Sequence, residues 1–233
     1  MDRKTAVPGA RTVSSSFIKR EAARAAEDAE HAALIAKRFA ILRTRILREM
    51  RSRKWRKLAV VPVTQGAGGT FVAVHLALAL ARQQHTGVLL ADLDLALPSV
   101  ARMLGIPGCD QLSEVVASGR KLTEIAQTIE ELHNLSVVAP AQPEDAAAEI
   151  LQDEGLAATI DAAAAILPDS TVMILDCGPL IGQDEALAAL PLADAVLLVA
   201  DGRRGTASDM VQVERLLEGM PPVMGVILNK SED

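Results

Sequence analysis

One glycine-rich stretch of the sequence has the residue types and the spacing that phosphate binding requires. Residues 58–77 predict a buried strand, a tight turn and then an apolar helix that begins near Thr70. In this arrangement the unpaired N–H groups and the positive end of the helix dipole face an incoming anion. Glycine lets the backbone approach that anion closely. The predicted phosphate contacts are Gly66, Ala67, Gly68, Gly69, Thr70 and Phe71.

This loop contains no lysine. A phosphate-binding loop of the Walker A type places a lysine and then a serine or threonine at the start of the helix. Those two positions hold Gly69 and Thr70 here. The Thr70 hydroxyl predicts a magnesium ligand, and its alternative role is to cap the helix. The loop as a whole also has an alternative interpretation, in which it is a tight strand–helix turn that binds no ligand. This alternative stays open because the positive charge for the terminal phosphates is missing.

Polar residues also stand at the ends of other predicted strands. Asp92 and Asp94 follow the second predicted strand, Asp176 ends the fourth and Asn229 follows the last. Binding sites of open parallel sheets lie at the carboxyl ends of the strands, and carboxylate oxygens are typical magnesium ligands. We therefore expect these residues to meet the glycine loop in one cleft.

The elements that would position this cleft alternate between strand and helix. Apolar runs predict strands at 58–63, 87–92, 135–139, 171–176, 195–200 and 223–228. The intervening segments predict helices at 71–82, 99–104, 111–117, 122–129, 146–166, 184–189 and 207–218. Continuous apolar strands that alternate with helices indicate an α/β fold, with a parallel sheet covered by helices on both faces.

The N-terminal residues predict an extension to an α/β domain that spans 57–233. Polar composition predicts a flexible tail over 1–20, and alanine, glutamate and arginine favour helix over 21–56. One apolar stripe follows helical spacing, comprising Ile35, Phe39, Leu42, Ile46 and Met50. The basic segment 37–57 has two interpretations. It predicts a peripheral contact with anionic lipid or with an acidic partner, or it is the solvated face of a helix packed on the domain.

Composition excludes several classes of function. The net charge of −6 argues against a general nucleic-acid binder, and the apolar runs are far shorter than a membrane span. The polar N-terminus lacks the apolar core of a secretory signal, so we expect a cytoplasmic protein. Cys109 and Cys177 show no metal-ligand spacing. The chain contains no tyrosine, so it cannot phosphorylate itself on that residue.

From about residue 37 onward, ordered motifs resemble the cytoplasmic kinase domain of bacterial tyrosine kinases that act in capsular and exopolysaccharide export. These motifs are the loop 65–71 and the segments 92–98, 112–115, 176–179 and 225–230. The kinases form part of a deviant-Walker P-loop superfamily that also includes cell-division and chromosome-partitioning ATPases. The resemblance implies a doubly wound P-loop NTPase-like sheet with an N-terminal helical extension.

The resemblance also implies roles for individual residues. ATP or ADP would bind the loop with magnesium, which would be held by Thr70, Asp92 and Asp176, and Asn229 would contact the adenine base. Asp92 and Asp94 would form the catalytic pair that activates the acceptor hydroxyl. The implied partners are a membrane polysaccharide co-polymerase and further copies of the chain, which would place the protein at the inner face of the cell membrane.

The sequence departs from the kinase pattern at positions that carry charge. Gly69 replaces the lysine that neutralises charge developing during phosphoryl transfer, and Ala96 replaces the arginine of the second acidic motif. Of the oligomerising N-terminal pattern only Arg43 is retained, and the tyrosine cluster of the kinases has no counterpart. The signature lysine of the partitioning ATPases is missing as well, because its position falls near Thr64.

These departures leave three functions open. The first is a catalytically impaired, kinase-like regulator of exopolysaccharide or capsular polysaccharide biosynthesis and export, which acts with a membrane co-polymerase. The second is an active ATP-dependent tyrosine kinase or ATPase that uses a substitute cation, for which Arg203 and Arg204 are candidates. The third is a partitioning or positioning ATPase of the same superfamily.

Overall fold

The computed structural model describes residues 7–231, except for the side chains of residues 24–27 and 31. Within these residues the strands are β1 Arg11–Val13, β2 Lys57–Pro62, β3 Val88–Asp92, β4 Gln127–Ile129, β5 Leu135–Val138, β6 Val172–Asp176, β7 Ala195–Asp201 and β8 Val223–Asn229. The helices are α1 Ser16–Glu27, α2 Ala29–Arg53, α3 Gly69–Ala81, α4 Val100–Leu104, α5 Leu112–Ala117, α6 Leu122–Ile125, α7 Ala147–Leu151, α8 Glu154–Ile166, α9 Glu185–Ala189 and α10 Ala207–Leu216.

The strands form one sheet in the order β1-β4-β5-β3-β6-β2-β7-β8. Its pairs are parallel except for β4 and β5, which are antiparallel. Every residue of β3, β6 and β7 is buried, as expected for strands covered on both faces. Alternate residues of β2 enter two separate cores, with Ala59 and Val61 in one and Leu58 and Val60 in the other. The predicted parallel, doubly wound, P-loop NTPase-like fold is confirmed.

The predicted flexible tail over 1–20 is wrong for the part of it that the structure describes. Residues 11–13 form β1, which pairs with β4, and α1 begins at Ser16. Val7 and Ser15 are buried. The serine run that indicated a tail instead ends a strand and starts a helix, where a hydroxyl can accept a backbone N–H bond. Residues 1–6 lie outside the described part of the chain.

Two predicted helices also differ from the structure. The end of the predicted helix 122–129 is strand β4, because residues 127–129 pair with both β1 and β5. This pairing overrides local helix preference. The predicted helix 146–166 is divided into α7 and α8, because Asp153 caps a new helix by accepting a hydrogen bond from Gly155 N at 2.7 Å.

Helix α2 uses its apolar stripe to cover the sheet. Ile46 and Met50 are buried in the core that also receives α3, and Phe39 and Leu42 pack against it. The stripe therefore serves intramolecular packing, and arginines such as Arg48 remain exposed on the opposite face. No helix in residues 7–231 is both long enough and apolar enough to span a membrane.

Ser15 anchors the N-terminal segment and gives a test of its docking. Its buried hydroxyl donates to Leu104 O at 2.7 Å and accepts from Ile18 N at 3.2 Å. Because Ser15→Ala leaves both partners unsatisfied, we expect the free energy of unfolding in urea to fall by about 1–2 kcal/mol. The control Ser52→Ala changes an exposed serine on α2 and should leave the midpoint nearly unchanged. Equal unfolding midpoints for the two variants would contradict the conclusion that Ser15 anchors the N-terminal segment to the domain.

Candidate functional site

The glycine loop joins the end of β2 to the start of α3. Gly66 and Gly68 have φ angles of 79° and 93°, in the left-handed region that favours glycine. A Cβ atom at Gly68 would lie only 2.3 Å from Asn229 Nδ2, so any other residue there would displace the Asn229 side chain from the loop. The loop conformation therefore depends on the glycines that the sequence places there.

Two side chains from the end of β8 hold the loop carbonyls. Asn229 Nδ2 donates to Ala67 O at 2.9 Å, and Lys230 Nζ donates to Gly66 O. Since the peptide unit is planar and trans, the N–H of Gly68 points away from the Ala67 carbonyl that Asn229 binds. Asn229 thus orients the loop, whereas the sequence resemblance placed it against an adenine base. Lys230 has a second bond, to Asp201 Oδ2 at 3.0 Å, and its role was not predicted.

The N-terminus of α3 offers donors to an anion. Its N-cap is Gly68, which has no side chain to satisfy the first-turn N–H groups. Helix α3 has 13 residues and is apolar on almost every face, with most of its side chains buried. A helix fixed in this way presents its unpaired N–H groups and positive dipole end in one direction, which is the requirement for binding phosphate.

A cavity of about 210 Å³ lies beside this helix start. Its walls are formed by Pro62, Gln65, Gly66, Gly68, Gly69, Thr70, Asp94, Leu97, Ser99, Arg102, Cys177, Pro179 and Gln183. The structure thus brings five of the predicted site residues together in its wall, namely Gly66, Gly68, Gly69, Thr70 and Asp94.

Five predicted site residues lie outside the wall of this cavity, and one of them is Asn229, which holds the loop carbonyl. Ala67 is fully buried, and the Phe71 ring packs against His75 and Phe39, with ring centroids 3.9 Å and 6.1 Å away. Asp92 and Asp176 are also fully buried, beneath the carboxyl ends of β3 and β6. Their backbones pair side by side in the sheet, so the two acids are neighbours.

Asp92 acts as an organiser of the backbone around the site. Its Oδ2 accepts hydrogen bonds from Ser99 N at 2.8 Å and Val100 N at 2.9 Å, and its Oδ1 accepts from Asp94 N at 3.2 Å. Burial raises the pKa of Asp92 to about 7, and these N–H bonds oppose the rise. The carboxylate fixes the start of α4, and all of its hydrogen bonds are to backbone.

Asp176 is buried without a hydrogen-bond partner for either carboxylate oxygen among the described residues. Burial raises its pKa well above the ordinary value, and the neighbouring Asp92 raises it further. The Thr70 hydroxyl lowers that pKa, but its hydrogen bond is with Ser99 Oγ at 3.0 Å. Because Asp92 already receives three N–H bonds, we assign the retained proton of this pair to Asp176.

Asp94 is the acid that reaches the cavity. Burial raises its pKa, and the nearby Glu185 raises it further. Glu185 has one buried carboxylate oxygen without a partner in the described part of the chain. The cleft therefore concentrates negative charge next to the place where phosphates would bind.

Gly69 lies against the ring of Pro62, the last residue of β2. A Cβ atom at position 69 would be 2.7 Å from Pro62 Cδ and 2.9 Å from Pro62 Cγ. Contacts this short require the ring or the helix to move. Position 69 therefore lacks the space in which the stem of a lysine would start, in addition to lacking its charge.

Arg102 is the only basic residue in the wall of the cavity among the residues described. It lies on α4, and no sequence motif pointed to it as a site residue. The sequence feature that could have found it is its position ten residues after Asp92, on the helix whose start is held by that acid. The expected substitutes Arg203 and Arg204 are not in the wall. Their backbone N–H groups instead bond Asp201 Oδ1.

The residues present suit the phosphates of a nucleotide and a hydrated magnesium ion, but with altered charge. The α3 N-terminus suits phosphate, and the Thr70 hydroxyl and the unsatisfied Asp176 carboxylate suit magnesium and its water shell. The described residues contain no group of three or more acidic, cysteine or histidine side chains placed to hold a metal. A bound magnesium ion would thus need water and ligand phosphates to complete its coordination.

Comparison with solved structures shows where this fold has been seen. The kinase domain of the Escherichia coli tyrosine kinase ETK is 25% identical with a TM-score of 0.71, and the match covers 81% of this chain and 72% of that one. The VpsO kinase domain is 20% identical with a TM-score of 0.71, and the match covers 86% of this chain and 98% of that one.

The septum site-determining protein MinD of Pyrococcus horikoshii OT3, solved with Mg-ADP, is 22% identical. Its TM-score is 0.62, and the match covers 76% of this chain and 72% of that one. No family model and no curated protein matches the chain. The chain therefore has the P-loop fold that bacterial tyrosine kinase domains and MinD share.

The contact between Gly69 and Pro62 can be measured with a double-mutant cycle. Gly→Ala inside a helix ordinarily gains about 0.5–1 kcal/mol, but Gly69→Ala should instead lose about 1–3 kcal/mol, because the new methyl group overlaps the proline ring. The double variant Pro62→Ala/Gly69→Ala should regain part of this loss in urea unfolding. Additive losses from the two single changes would show that the ring does not close position 69.

The proton on Asp176 predicts a pH-dependent stability. The folded chain holds this proton at pH values where the unfolded carboxyl, with a pKa near 3.8, has lost it. Stability should therefore fall as pH rises from about 4 through the raised folded pKa, by about 1.4 kcal/mol per pH unit for one extra bound proton. In urea unfolding at pH 5–8 without magnesium, Asp176→Asn should show a shallower fall than the natural chain. Parallel pH profiles would place the proton elsewhere.

Proposed function

We propose that this chain is a kinase-like regulator that binds nucleotide at the loop without transferring phosphate. Its process would be the biosynthesis and export of exopolysaccharide or capsular polysaccharide, in which it would act with a membrane co-polymerase. The observation that carries the proposal is the closed space at Gly69, where the Pro62 ring stands in the way of a lysine side chain. Loss of one preorganised charge at a transition state typically costs several kcal/mol.

The acids of the cleft support the same conclusion. Asp92 is tied to backbone N–H groups, which leaves it to position α4. Burial and the neighbouring Asp92 raise the pKa of Asp176, and in its protonated form this acid attracts a metal ion only weakly. The chain also contains no tyrosine, so a tyrosine kinase activity could act only on a different polypeptide.

The proposed partners are those that the sequence resemblance to the bacterial tyrosine kinases implies. A co-polymerase in the membrane would hold the regulator at the inner face of that membrane, and copies of the chain would associate there. The exposed arginines of α2 would contact anionic lipid or acidic segments of the partner.

A second candidate function is an active ATPase or kinase that acts on another protein. One observation favours it, which is the presence of Arg102 in the cavity wall. An arginine that contacts the transferred phosphoryl group can stabilise its transition state in phosphoryl-transfer enzymes. The two candidates differ in a single measurable property, the transfer of the terminal phosphate of ATP.

Single-turnover phosphotransfer separates the two candidates. The natural chain, with labelled ATP-Mg and a tyrosine-containing copolymer, should transfer no more phosphate than Asp94→Asn. We choose Asp94 because Asp92 supports the start of α4, so that Asp92→Ala could lower transfer by misfolding alone. The kinase domain of ETK serves as positive control. Transfer by the natural chain above the Asp94→Asn background would replace the regulator by the enzyme.

A further inference from the structure

We propose that Arg102 supplies the positive charge that binds the nucleotide phosphates in the loop cavity, in place of the missing loop lysine. This inference rests on the proposed function, since it assumes that the loop cavity is a nucleotide site. It adds the residue that makes binding possible and the part of the ligand that this residue recognises. The inference is independent of whether phosphate is transferred.

The charge balance of the cavity favours such a residue. Asp94 lies in the wall, and the buried Asp92, whose Oδ1 accepts a hydrogen bond from Asp94 N at 3.2 Å, lies directly behind it. A nucleotide brings further negative charge to the same space. The N–H groups of the α3 start carry only partial charges, equivalent to about half a charge at the helix end. A full positive charge on the cavity wall would add to the attraction that these N–H groups provide.

Arg102 is available for this role. Its side chain is exposed at the cavity wall and makes no hydrogen bond or ion pair within the part of the chain that the structure describes, although Asp94 lines the same cavity. A guanidinium remains charged at every physiological pH, and its planar fork suits two phosphate oxygens at once. A solvated arginine left unpaired in an acidic cleft is in a suitable state to bind an anionic ligand.

The position of Arg102 is fixed by the same interactions that form the site. Val100 and Leu104, its neighbours on α4, are fully buried in the core, which directs the intervening Arg102 outward. The start of α4 is held by the Asp92 carboxylate, and Ser99 Oγ contacts Thr70 Oγ1 on α3 at 3.0 Å. The backbone that carries the guanidinium is therefore tied directly to the phosphate-binding helix.

The contact at Pro62 explains why the charge lies on α4 rather than in the loop. A side chain at position 69 would collide with the proline ring at its first carbon atom. Arg102 reaches the cavity from a different element, so it meets no such obstacle. The cavity therefore has no cation at position 69, and its basic residue is Arg102 on α4.

Calorimetric titration of the full chain tests the inference. The probes are ATP-Mg, ADP-Mg and inorganic tripolyphosphate, each at low and moderate salt. We expect Arg102→Ala to weaken binding of all three at least tenfold and to reduce the salt dependence, and Arg102→Lys to weaken binding less because charge is kept but the fork is lost. The matched control Arg204→Ala removes an exposed arginine that is outside the cavity wall and should leave affinity unchanged.

Thermal unfolding of each variant shows whether it is folded, and no loss is expected because Arg102 is exposed. Equal affinities for the natural chain and Arg102→Ala would overturn the inference, as would a natural chain that binds none of the probes. An equal loss in Arg204→Ala would overturn it too, since the effect would then be one of net charge. None of these outcomes depends on phosphotransfer, so failure of the inference and detection of kinase activity are separate results.

Discussion

The close contact between Pro62 and Gly69 is the constraint on which the candidate site depends. Strand β2 is buried from its second residue to its last, and most residues of α3 are buried, so both elements are packed on several sides. Where they meet, a Cβ atom at position 69 would lie 2.7 Å from Pro62 Cδ, so the ring or the helix would have to shift to admit it. With the loop carbonyls held by Asn229 and Lys230, the backbone keeps its anion-binding geometry while the space for a lysine stem is closed. The loop therefore keeps the backbone conformation of a phosphate-binding loop but lacks a charged side chain.

The buried acids of the cleft are balanced in different ways. Asp92 is stabilised by hydrogen bonds from three backbone N–H groups, and the same bonds fix the turn into α4. Asp176 has no such donors and keeps a proton instead. Asp94 reaches the cavity, where Arg102 is the one opposite charge on the described wall. Electrostatic interactions are stronger between buried groups than between solvated ones, so the buried acids contribute most to the field in the cleft.

Proteins with this fold can differ in the charges that surround the glycine loop. Bacterial tyrosine kinase domains and MinD share this fold with the chain. A fold of this kind is compatible with phosphotransfer, ATP hydrolysis or nucleotide binding alone, and local charges choose among them. In this chain the local charges and the closed space at Gly69 favour a binding role, which is why the regulator is proposed before the enzyme.

The sequence by itself determined the α/β class, the glycine loop, the absence of its lysine and the acids at the strand ends, because apolar periodicity and turn residues are local signals. Only the tertiary structure decided that residues 11–13 and 127–129 are strands, since both depend on pairing between segments more than a hundred residues apart. It also decided that Asn229 binds the loop, that Pro62 closes position 69 and that Arg102 enters the cavity. These relations arise from distances between separate elements, and no spacing along one segment encodes them.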